Sequence, residues 1–233
     1  MNPTSIEYCH KSWNPISGCK IGCDFCYARR ISRRWGRSFE PSFWPDRLRR
    51  VTTLRKPSIV FACDMGDINS PGVEDSWREK VYKAAAEAKK HQFLFLTKNP
   101  YEWLKSFYFP PEEAENIWLG TSITKAGEMS RLVALDDLDW PRKYIQFEPL
   151  LGEIALSDLG QYFAKDRPRG GFKWIIVGGA TKYQVKTRPE WVAKIVNSAL
   201  VFGVPLFVKN NAGWPAKIRQ FPEGLDELAG DLK

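Results

Sequence analysis

The sequence predicts an α/β fold with a parallel sheet, and two observations lead to this prediction. From Ser58 onward, short runs rich in β-branched and aromatic residues alternate with longer amphipathic segments, a pattern typical of repeated βα units. Successive runs begin 24 to 34 residues apart, close to the roughly 30 residues that a right-handed crossover through a helix needs. The runs cover residues 58–63, 92–97, 116–122, 143–148, 172–178 and 204–208.

Six runs are too few for a closed barrel of eight units, which needs about 250 residues. Because a further short strand near Trp13 is also compatible with the pattern, we predict a partial (βα)6 barrel of parallel strands. Residues 1–221 are expected to form one domain, in which residues 1–57 are a distinct N-terminal segment and residues 58–221 carry the βα repeats. Residues 222–233 have little apolar periodicity and are expected to form a C-terminal tail.

Two of the crossovers show clear helical periodicity. Between residues 73 and 88, apolar side chains recur at helical spacing while charged residues occupy the other faces. Thr187 and Glu190 form a capping-box pattern with Pro189 in the first turn, and an apolar stripe follows over residues 191–200. The sequence therefore predicts a helix in each of these crossovers.

The composition indicates a globular chain that suits an anionic partner. Hydrophobic residues make up 43% and charged residues 27% of the chain, which excludes a mainly disordered or fibrous protein. The net charge of +8 favours a phosphate-bearing partner, with an ordinary basic enzyme as the alternative. The N-terminus lacks the features of a secretory signal, and the apolar stretch 198–208 is too short to span a bilayer. We therefore expect a cytoplasmic protein.

Three of the five cysteines lie within eight residues, as Cys19, Cys23 and Cys26, in the spacing C-x3-C-x2-C. Disulfides in a reducing compartment do not explain an odd number of cysteines clustered in this way. Three thiolates can hold three corners of a cubane iron–sulfur cluster and leave the fourth iron open to a small molecule. Zinc with His10 as fourth ligand is the alternative, although the spacing is unusually tight for a zinc finger.

This motif, with the aromatic Phe25 before its last cysteine, resembles the signature of the radical S-adenosylmethionine superfamily. Its members share a partial (βα)6 barrel with the cluster at the C-terminal mouth of the strands. More narrowly, five short blocks resemble a family of phage-associated three-cysteine proteins. These blocks are WNPISGC (13–19), CYA (26–28), FLTKNP (95–100), FEPLLG (147–152) and IVGG (176–179).

The resemblance implies a [4Fe-4S] cluster on the three cysteines and S-adenosylmethionine bound to the open iron. One electron, from an external donor of the flavodoxin or ferredoxin type, would then cleave the cofactor to a 5′-deoxyadenosyl radical that abstracts hydrogen from a substrate. The protein's tasks are to place the cofactor, exclude water and orient the substrate. A partner protein could supply further electrons or present the substrate.

Polar residues follow the six predicted strands, where binding residues gather in parallel βα folds. By resemblance, the segment Asp64, Met65, Gly66 and Asp67 is expected to hold the amino group of S-adenosylmethionine, with Asp67 as the preferred carboxylate. The alternative for Asp67 is an N-terminal cap on the following helix.

The residues that follow the other predicted strands supply the remaining candidate cofactor-binding and catalytic residues. Glu148 is expected to bind ribose hydroxyls or the substrate, and Lys98 a carboxylate or phosphate, unless Lys98 is an ordinary surface lysine. Both are candidate catalytic residues. Ser122, Gly178 and Gly179 complete the candidate cofactor-binding set, the glycines because they let the cofactor approach the backbone closely. Ala180 follows them where the narrower family carries an acidic residue.

A basic segment follows the cysteines and is the candidate nucleic-acid-binding region. Arg29 and Arg33, like Arg30 and Arg34, lie four residues apart on a predicted helix, so like charges stack along the helix, which is unfavourable without an anion. Interleaved aromatic residues between 35 and 44 add stacking platforms for bases. The alternative is a solvated face whose charges pair with acidic residues elsewhere. The arginines are Arg29, Arg30, Arg33, Arg34 and Arg37.

Three functional hypotheses follow from the sequence. The first is a radical S-adenosylmethionine enzyme that modifies or repairs a nucleic-acid base or nucleotide. The second is a zinc-stabilised nucleic-acid-binding protein without catalysis. The third is an iron–sulfur electron-transfer or sensor module, for which Cys9 or Cys63 would have to supply a fourth ligand. We predict the first.

Overall fold

The computed structural model describes residues 2–105, 110, 114–154, 160–163, 171–180 and 184–232. The architecture is mixed α/β, as predicted. The strands are β1 (Asn2–Pro3), β2 (Lys11–Trp13), β3 (Ile16–Ser17), β4 (Ser42–Phe43), β5 (Ile59–Ala62), β6 (Gln92–Thr97), β7 (Ile117–Ser122), β8 (Lys143–Phe147), β9 (Trp174–Val177) and β10 (Leu206–Val208). The α-helices are α1 (Tyr27–Arg34), α2 (Asp75–Glu87), α3 (Tyr101–Lys105), α4 (Ser130–Asp136), α5 (Gly160–Phe163), α6 (Pro189–Phe202) and α7 (Asp226–Ala229).

The chain divides into two compact units, Met1–Trp118 and Leu119–Lys233, and the boundary falls inside β7. The main sheet has the strand order β1-β2-β5-β6-β7-β8-β9-β10. Its last seven strands are the parallel ones, and they include all six runs that the sequence predicts. The assignment of residues 1–221 to one domain with a tail at 222–233 stays a prediction.

In the first unit, β2, β5 and β6 form a parallel ladder with Trp13 opposite Ala62 and Ala62 opposite Phe95. The short strand predicted near Trp13 is therefore confirmed. β1 pairs antiparallel with β2, and β3 and β4 form a separate antiparallel pair. Because the ladder aligns the C-terminal ends of its strands, the residues that follow β2, β5 and β6 leave the sheet at one edge.

In the second unit, β7 to β10 are parallel in sequence order. Ser122 pairs with Gln146, Phe147 with Val177, and Val177 with Val208. Burial on both faces explains why the strands of such a sheet are continuous apolar runs instead of alternating ones. The residues after Phe147, Val177 and Val208 therefore leave this part of the sheet at the same edge.

Both predicted helices are present. Most of their apolar residues are buried, but Leu200, at the end of the predicted stripe 191–200, is 70% exposed. α2 buries Val81, Tyr82 and Ala85, and α6 ends at Gly203 in the left-handed conformation, with φ of 62°. The predicted capping box at Thr187 and Glu190 is wrong. The N-cap of α6 is Arg188, without a side-chain cap, because the Thr187 hydroxyl donates to the buried carbonyl of Leu150 (2.8 Å).

The C-terminal residues include α7, and the side chains of Leu225 and Ala229 are buried. Phe221, just before them, packs with its ring centroid 5.3 Å from that of Trp174. In the part of the chain that the structure describes, no helix combines the length and apolar character needed to cross a membrane. The cytoplasmic location stays a prediction.

Candidate functional site

Cys19, Cys23 and Cys26 lie in the loop between β3 and α1, and all three thiols are partly exposed. The Cys26 side chain caps the N-terminus of α1, where its Sγ accepts a hydrogen bond from the Arg29 amide (3.4 Å). The Cys19 Sγ accepts one from the Ile21 amide (3.4 Å). Amides directed at the sulfur atoms stabilise the thiolate form that metal ligation requires.

The backbone around Cys19 is held by three neighbouring segments. The Gly18 amide donates to the carbonyl of Met65 (2.9 Å), and the Cys19 amide donates to the carbonyl of Phe39 (2.9 Å). The next amide, that of Lys20, donates to the Ser70 hydroxyl (2.8 Å). The first cysteine of the motif is therefore fixed directly beside the chain that leaves β5.

The donor set fits an iron–sulfur cluster in its chemistry. Three cysteine thiolates are the ligands that such clusters take, and two of the three sulfur atoms already accept backbone hydrogen bonds. Burial and then the nearby Asp67 carboxylate raise the pKa of Cys19 to about 11, so a metal must displace its proton at neutral pH. Among the described residues, no three His, Cys, Asp or Glu side chains are grouped tightly enough to hold a single metal ion. A cubane cluster spaces its thiolates more widely than a single ion does.

The chain leaves β5 through Cys63, a non-glycine residue in the left-handed conformation with φ of 61°. Asn14 holds the next two residues in place. Its side-chain nitrogen donates to the Asp64 carboxylate, and its side-chain oxygen accepts from the Met65 amide (2.9 Å). The hydroxyl of Tyr27 donates to the Asp64 carbonyl (2.6 Å). Burial raises the pKa of Asp64. This carboxylate is half-buried.

Asp67 is almost fully buried, with 6% of its surface exposed. One carboxylate oxygen accepts from the Thr97 hydroxyl (2.6 Å) and the Asn69 amide (2.9 Å), and the other accepts from the Lys98 amide (2.9 Å). Burial raises the pKa of Asp67. Asp67 does not cap the following helix, since the N-cap of α2 is Glu74. The geometry indicates that Asp67 joins the exits of β5 and β6, and its predicted contact with the cofactor stays a prediction.

Lys98 reaches towards the cysteine loop. Its Nζ lies 5.7 Å from the ring centroid of Phe25, the residue before Cys26. The first unit thus brings together the cysteine motif, the segment 64–67 and Lys98, as the sequence predicts. Asn14 and Tyr27 were not predicted as site residues, although each lies in a block that carries the family resemblance.

In the second unit, Glu148 forms an ion pair with Lys209, and their side chains are only 16% and 13% exposed. The Gln146 side chain donates to the other carboxylate oxygen of Glu148 (2.6 Å). A Cβ at Gly178 would lie 2.6 Å from the Glu148 Cδ, so the carboxylate packs directly on this glycine. The three partners hold the Glu148 carboxylate in one orientation. Gln146 is a site residue that the sequence pattern does not reveal.

The other predicted residues of this unit lie at the same strand ends. Asn211 binds both polar atoms of the Gly179 peptide: its Oδ1 accepts from the Gly179 amide (3.1 Å), and its Nδ2 donates to the carbonyl (2.8 Å). Ser122 is fully buried at the end of β7, and its carbonyl accepts from Arg131 (3.1 Å). The predicted contact of Ser122 with a cofactor stays a prediction.

Gly178→Ala is expected to lower the free energy of unfolding by about 1–3 kcal/mol, because the added methyl group overpacks the Glu148 carboxylate. Gly127→Ala is the matched control in the same unit, since a Cβ there meets nothing within 4 Å. Urea denaturation of the two variants measures both changes. Equal stability of the two variants would contradict the close contact between Gly178 and Glu148.

The five predicted nucleic-acid-binding arginines lie on α1 or directly after it, and the helix itself confirms the prediction from spacing. Ala28 is its only buried residue. The Arg29 guanidinium lies 5.8 Å from the ring centroid of Phe39. Because Cys26 caps α1, this basic helix begins at the cysteine motif.

Comparison with protein families gives a match over residues 3–227, almost the whole chain, to the family described as "Protein of unknown function (DUF5131)". No curated protein matches the chain. No solved structure matches it either.

Proposed function

We propose that this chain, which belongs to the family described as "Protein of unknown function (DUF5131)", is a radical S-adenosylmethionine enzyme that acts on a nucleic-acid base or nucleotide. The main support is the cysteine loop. Three partly exposed thiols in the spacing C-x3-C-x2-C lie beside the chain that leaves a parallel strand, and backbone amides donate to two of their sulfur atoms. In this proposal the loop lies at the C-terminal mouth of a partial barrel.

Cys19, Cys23 and Cys26 would hold a [4Fe-4S] cluster. When bound, the cluster supplies one electron that cleaves S-adenosylmethionine to methionine and a 5′-deoxyadenosyl radical. The amides of Ile21 and Arg29 keep the sulfur atoms of Cys19 and Cys26 oriented and favour their negative charge. Cys26 also lies at the positive end of the dipole of α1.

The segment 64–67 would receive the amino group of S-adenosylmethionine. An ammonium group donates three hydrogen bonds and is stabilised by a carboxylate. Asp64 is half-buried and held by Asn14, whereas Asp67 is only 6% exposed and accepts three hydrogen bonds from protein groups. We therefore propose Asp64 as the carboxylate that meets the ammonium group, and Asp67 as a positioning residue for the backbone of Lys98.

Lys98 in the first unit and Glu148 in the second unit are each proposed to bind a polar group. The Lys98 ammonium group suits a carboxylate or a phosphate. The Glu148 carboxylate suits ribose hydroxyls, which acidic residues bind in other nucleotide sites. Lys209 and Gln146 keep the Glu148 side chain in a single orientation, so it would not need to be ordered when the ligand binds.

The surroundings of the other candidate ligands favour this proposal over the two alternatives. Cys9 and Cys63, the only cysteines that could complete a fully ligated cluster, are both buried. The Cys9 thiol contacts the Ile6 carbonyl at 3.9 Å. His10, the fourth ligand of the zinc hypothesis, accepts a hydrogen bond from the Ile59 amide through Nδ1 (2.9 Å).

The test is anaerobic reconstitution of the full chain with iron and sulfide. We expect a brown protein with about four irons per chain, which releases 5′-deoxyadenosine when S-adenosylmethionine and dithionite are added. Omission of dithionite is the control and should abolish the release. A colourless protein with bound zinc would favour the second hypothesis. A cluster whose electron paramagnetic resonance spectrum does not respond to S-adenosylmethionine would favour the third.

A further inference from the structure

The positive charge of the chain is concentrated in one stretch. Residues 27–56 contain ten basic and two acidic residues, a surplus of eight. This surplus equals the net charge of +8 of the whole chain, so the other residues carry 25 charges of each sign. Such a concentration indicates a local anionic partner and not a generally basic surface.

This stretch forms a surface that we call the basic surface. It consists of α1, the loop 35–44 and the 3₁₀ segment Pro45–Arg50. β4 pairs with β3, and the Trp44 amide donates to the Pro15 carbonyl (2.7 Å), which fixes the loop on the first unit. Six of its arginines are exposed. They are Arg30, Arg33, Arg34, Arg37, Arg49 and Arg50.

Positively charged arginine side chains lie close together on the basic surface. Burial, and then the positive charges of Arg50 and Arg37, lower the pKa of Arg47. Glu40, one of the two acidic residues of the stretch, pairs outside it with Lys20 (2.6 Å). Because repulsion between neighbouring guanidinium groups is relieved by an anion, phosphate groups would stabilise this arrangement.

Two tryptophans lie among these arginines. Trp35 is 68% and Trp44 45% exposed, which is unusual for side chains of this size unless they bind a partner. The Trp44 Nε1 donates to the Ser17 hydroxyl (2.8 Å), and the Arg47 guanidinium lies 4.6 Å from the ring centroid. The Trp44 ring is thus held in place and offers its exposed part as a rigid platform for a base.

We infer that the basic surface binds single-stranded nucleic acid, with phosphates at the arginines and bases stacked on Trp35 and Trp44. Aromatic platforms among basic residues are the usual means of binding single strands. A duplex keeps its base faces covered, so it would use the arginines but not the tryptophans. A membrane needs a broad apolar face, and on α1 the exposed large apolar side chains are Tyr27 and Ile31 alone, with the Tyr27 hydroxyl donating to the Asp64 carbonyl.

The position of the basic surface connects it with the cysteine motif. Cys26 caps α1, and the Cys19 amide donates to the carbonyl of Phe39 in the loop of the basic surface. A strand on this surface therefore lies beside the cysteine loop. The inference that this surface binds a single strand is independent of the proposed function. Only the further step, that the bound strand is the substrate, rests on the proposed function.

The test is fluorescence anisotropy with the full chain and a labelled oligothymidine of about 16 nucleotides, the upper range of single-strand site sizes. Arg33→Gln/Arg34→Gln should reduce the slope of log K against log salt by about 1.4, since each phosphate contact on a single strand contributes about 0.7. Lys89→Gln/Lys90→Gln removes the same charge from exposed positions after α2 and should leave the slope unchanged.

The tryptophan variants separate stacking from charge. Trp35→Ala should weaken binding roughly 5- to 150-fold, the range found for loss of one stacked base, and Trp35→Phe should restore most of it. A duplex of the same length and vesicles of phosphatidylserine and phosphatidylcholine should bind more weakly. Equal binding of the duplex or the vesicles, or equal effects of the two double variants, would overturn the inference.

The assay needs neither S-adenosylmethionine nor a reductant. Failure of single-strand binding would overturn this inference and leave the proposed function standing. Failure to release 5′-deoxyadenosine would overturn the proposed function and leave the binding surface standing.

Discussion

Cys23→Ala is expected to reduce release of 5′-deoxyadenosine by more than about 100-fold, because the loss of one of three thiolates would leave the proposed cluster with two protein ligands. The same loss is expected for Cys19→Ala and Cys26→Ala. Iron content after anaerobic reconstitution and chromatography of the nucleoside product measure the two effects. Both should fall together, since in the proposed function the cluster passes the electron from the reductant to S-adenosylmethionine.

Two further variants serve as controls for this prediction. Cys9→Ala removes a buried thiol outside the motif and should leave iron content and product release within about twofold of the native protein. Cys26→Ser retains an oxygen that can cap α1 but removes the thiolate. If Cys26→Ser behaved like the native protein, Cys26 would be a helix cap and not a cluster ligand.

The parallel strands could be predicted from the sequence because burial on both faces leaves a direct signal. Ile59–Ala62 and Trp174–Val177 are buried at every position and are rich in β-branched and aromatic residues. β3 and β4 have two residues each, and Ile16 pairs with Phe43 across 27 positions of the chain. So short a strand has no periodicity to detect, and its partner is determined only by the tertiary fold.

Those residues of the candidate site could be predicted that are recognisable by their type or by their position directly after a predicted strand. The cysteine spacing is visible in the sequence, and Glu148 was found because it follows a predicted strand. The contacts of Asn14 with Asp64 and Met65 were not predictable, because they join residues about 50 positions apart. The hydrogen bond between Asp67 and the Lys98 amide was not predictable either, because Lys98 follows a different strand.

Gly18→Ala is expected to lower the free energy of unfolding by about 3 kcal/mol and, under the proposed function, to reduce the iron bound after anaerobic reconstitution. Gly18 has φ of +83°, and a Cβ there would lie 2.1 Å from the carbonyl oxygen of Glu40. The left-handed conformation costs alanine about 1–2 kcal/mol, and the overlap with a backbone atom adds about 1–3 kcal/mol. The backbone that carries Cys19 would have to move away from Phe39 and Glu40.

Gly36→Ala separates these two costs. Gly36 also has a positive φ, +60°, but a Cβ there meets nothing within 4 Å. This variant should therefore lose only the conformational part, about 1–2 kcal/mol, and under the proposed function bind as much iron in reconstitution as the native protein. Urea denaturation and iron analysis of both variants measure the difference. If Gly18→Ala bound as much iron as Gly36→Ala, the close packing of Gly18 on the Glu40 backbone would not be what holds Cys19 in position. The hydrogen bonds from the Gly18 and Lys20 amides to Met65 and Ser70 would then hold Cys19 on their own.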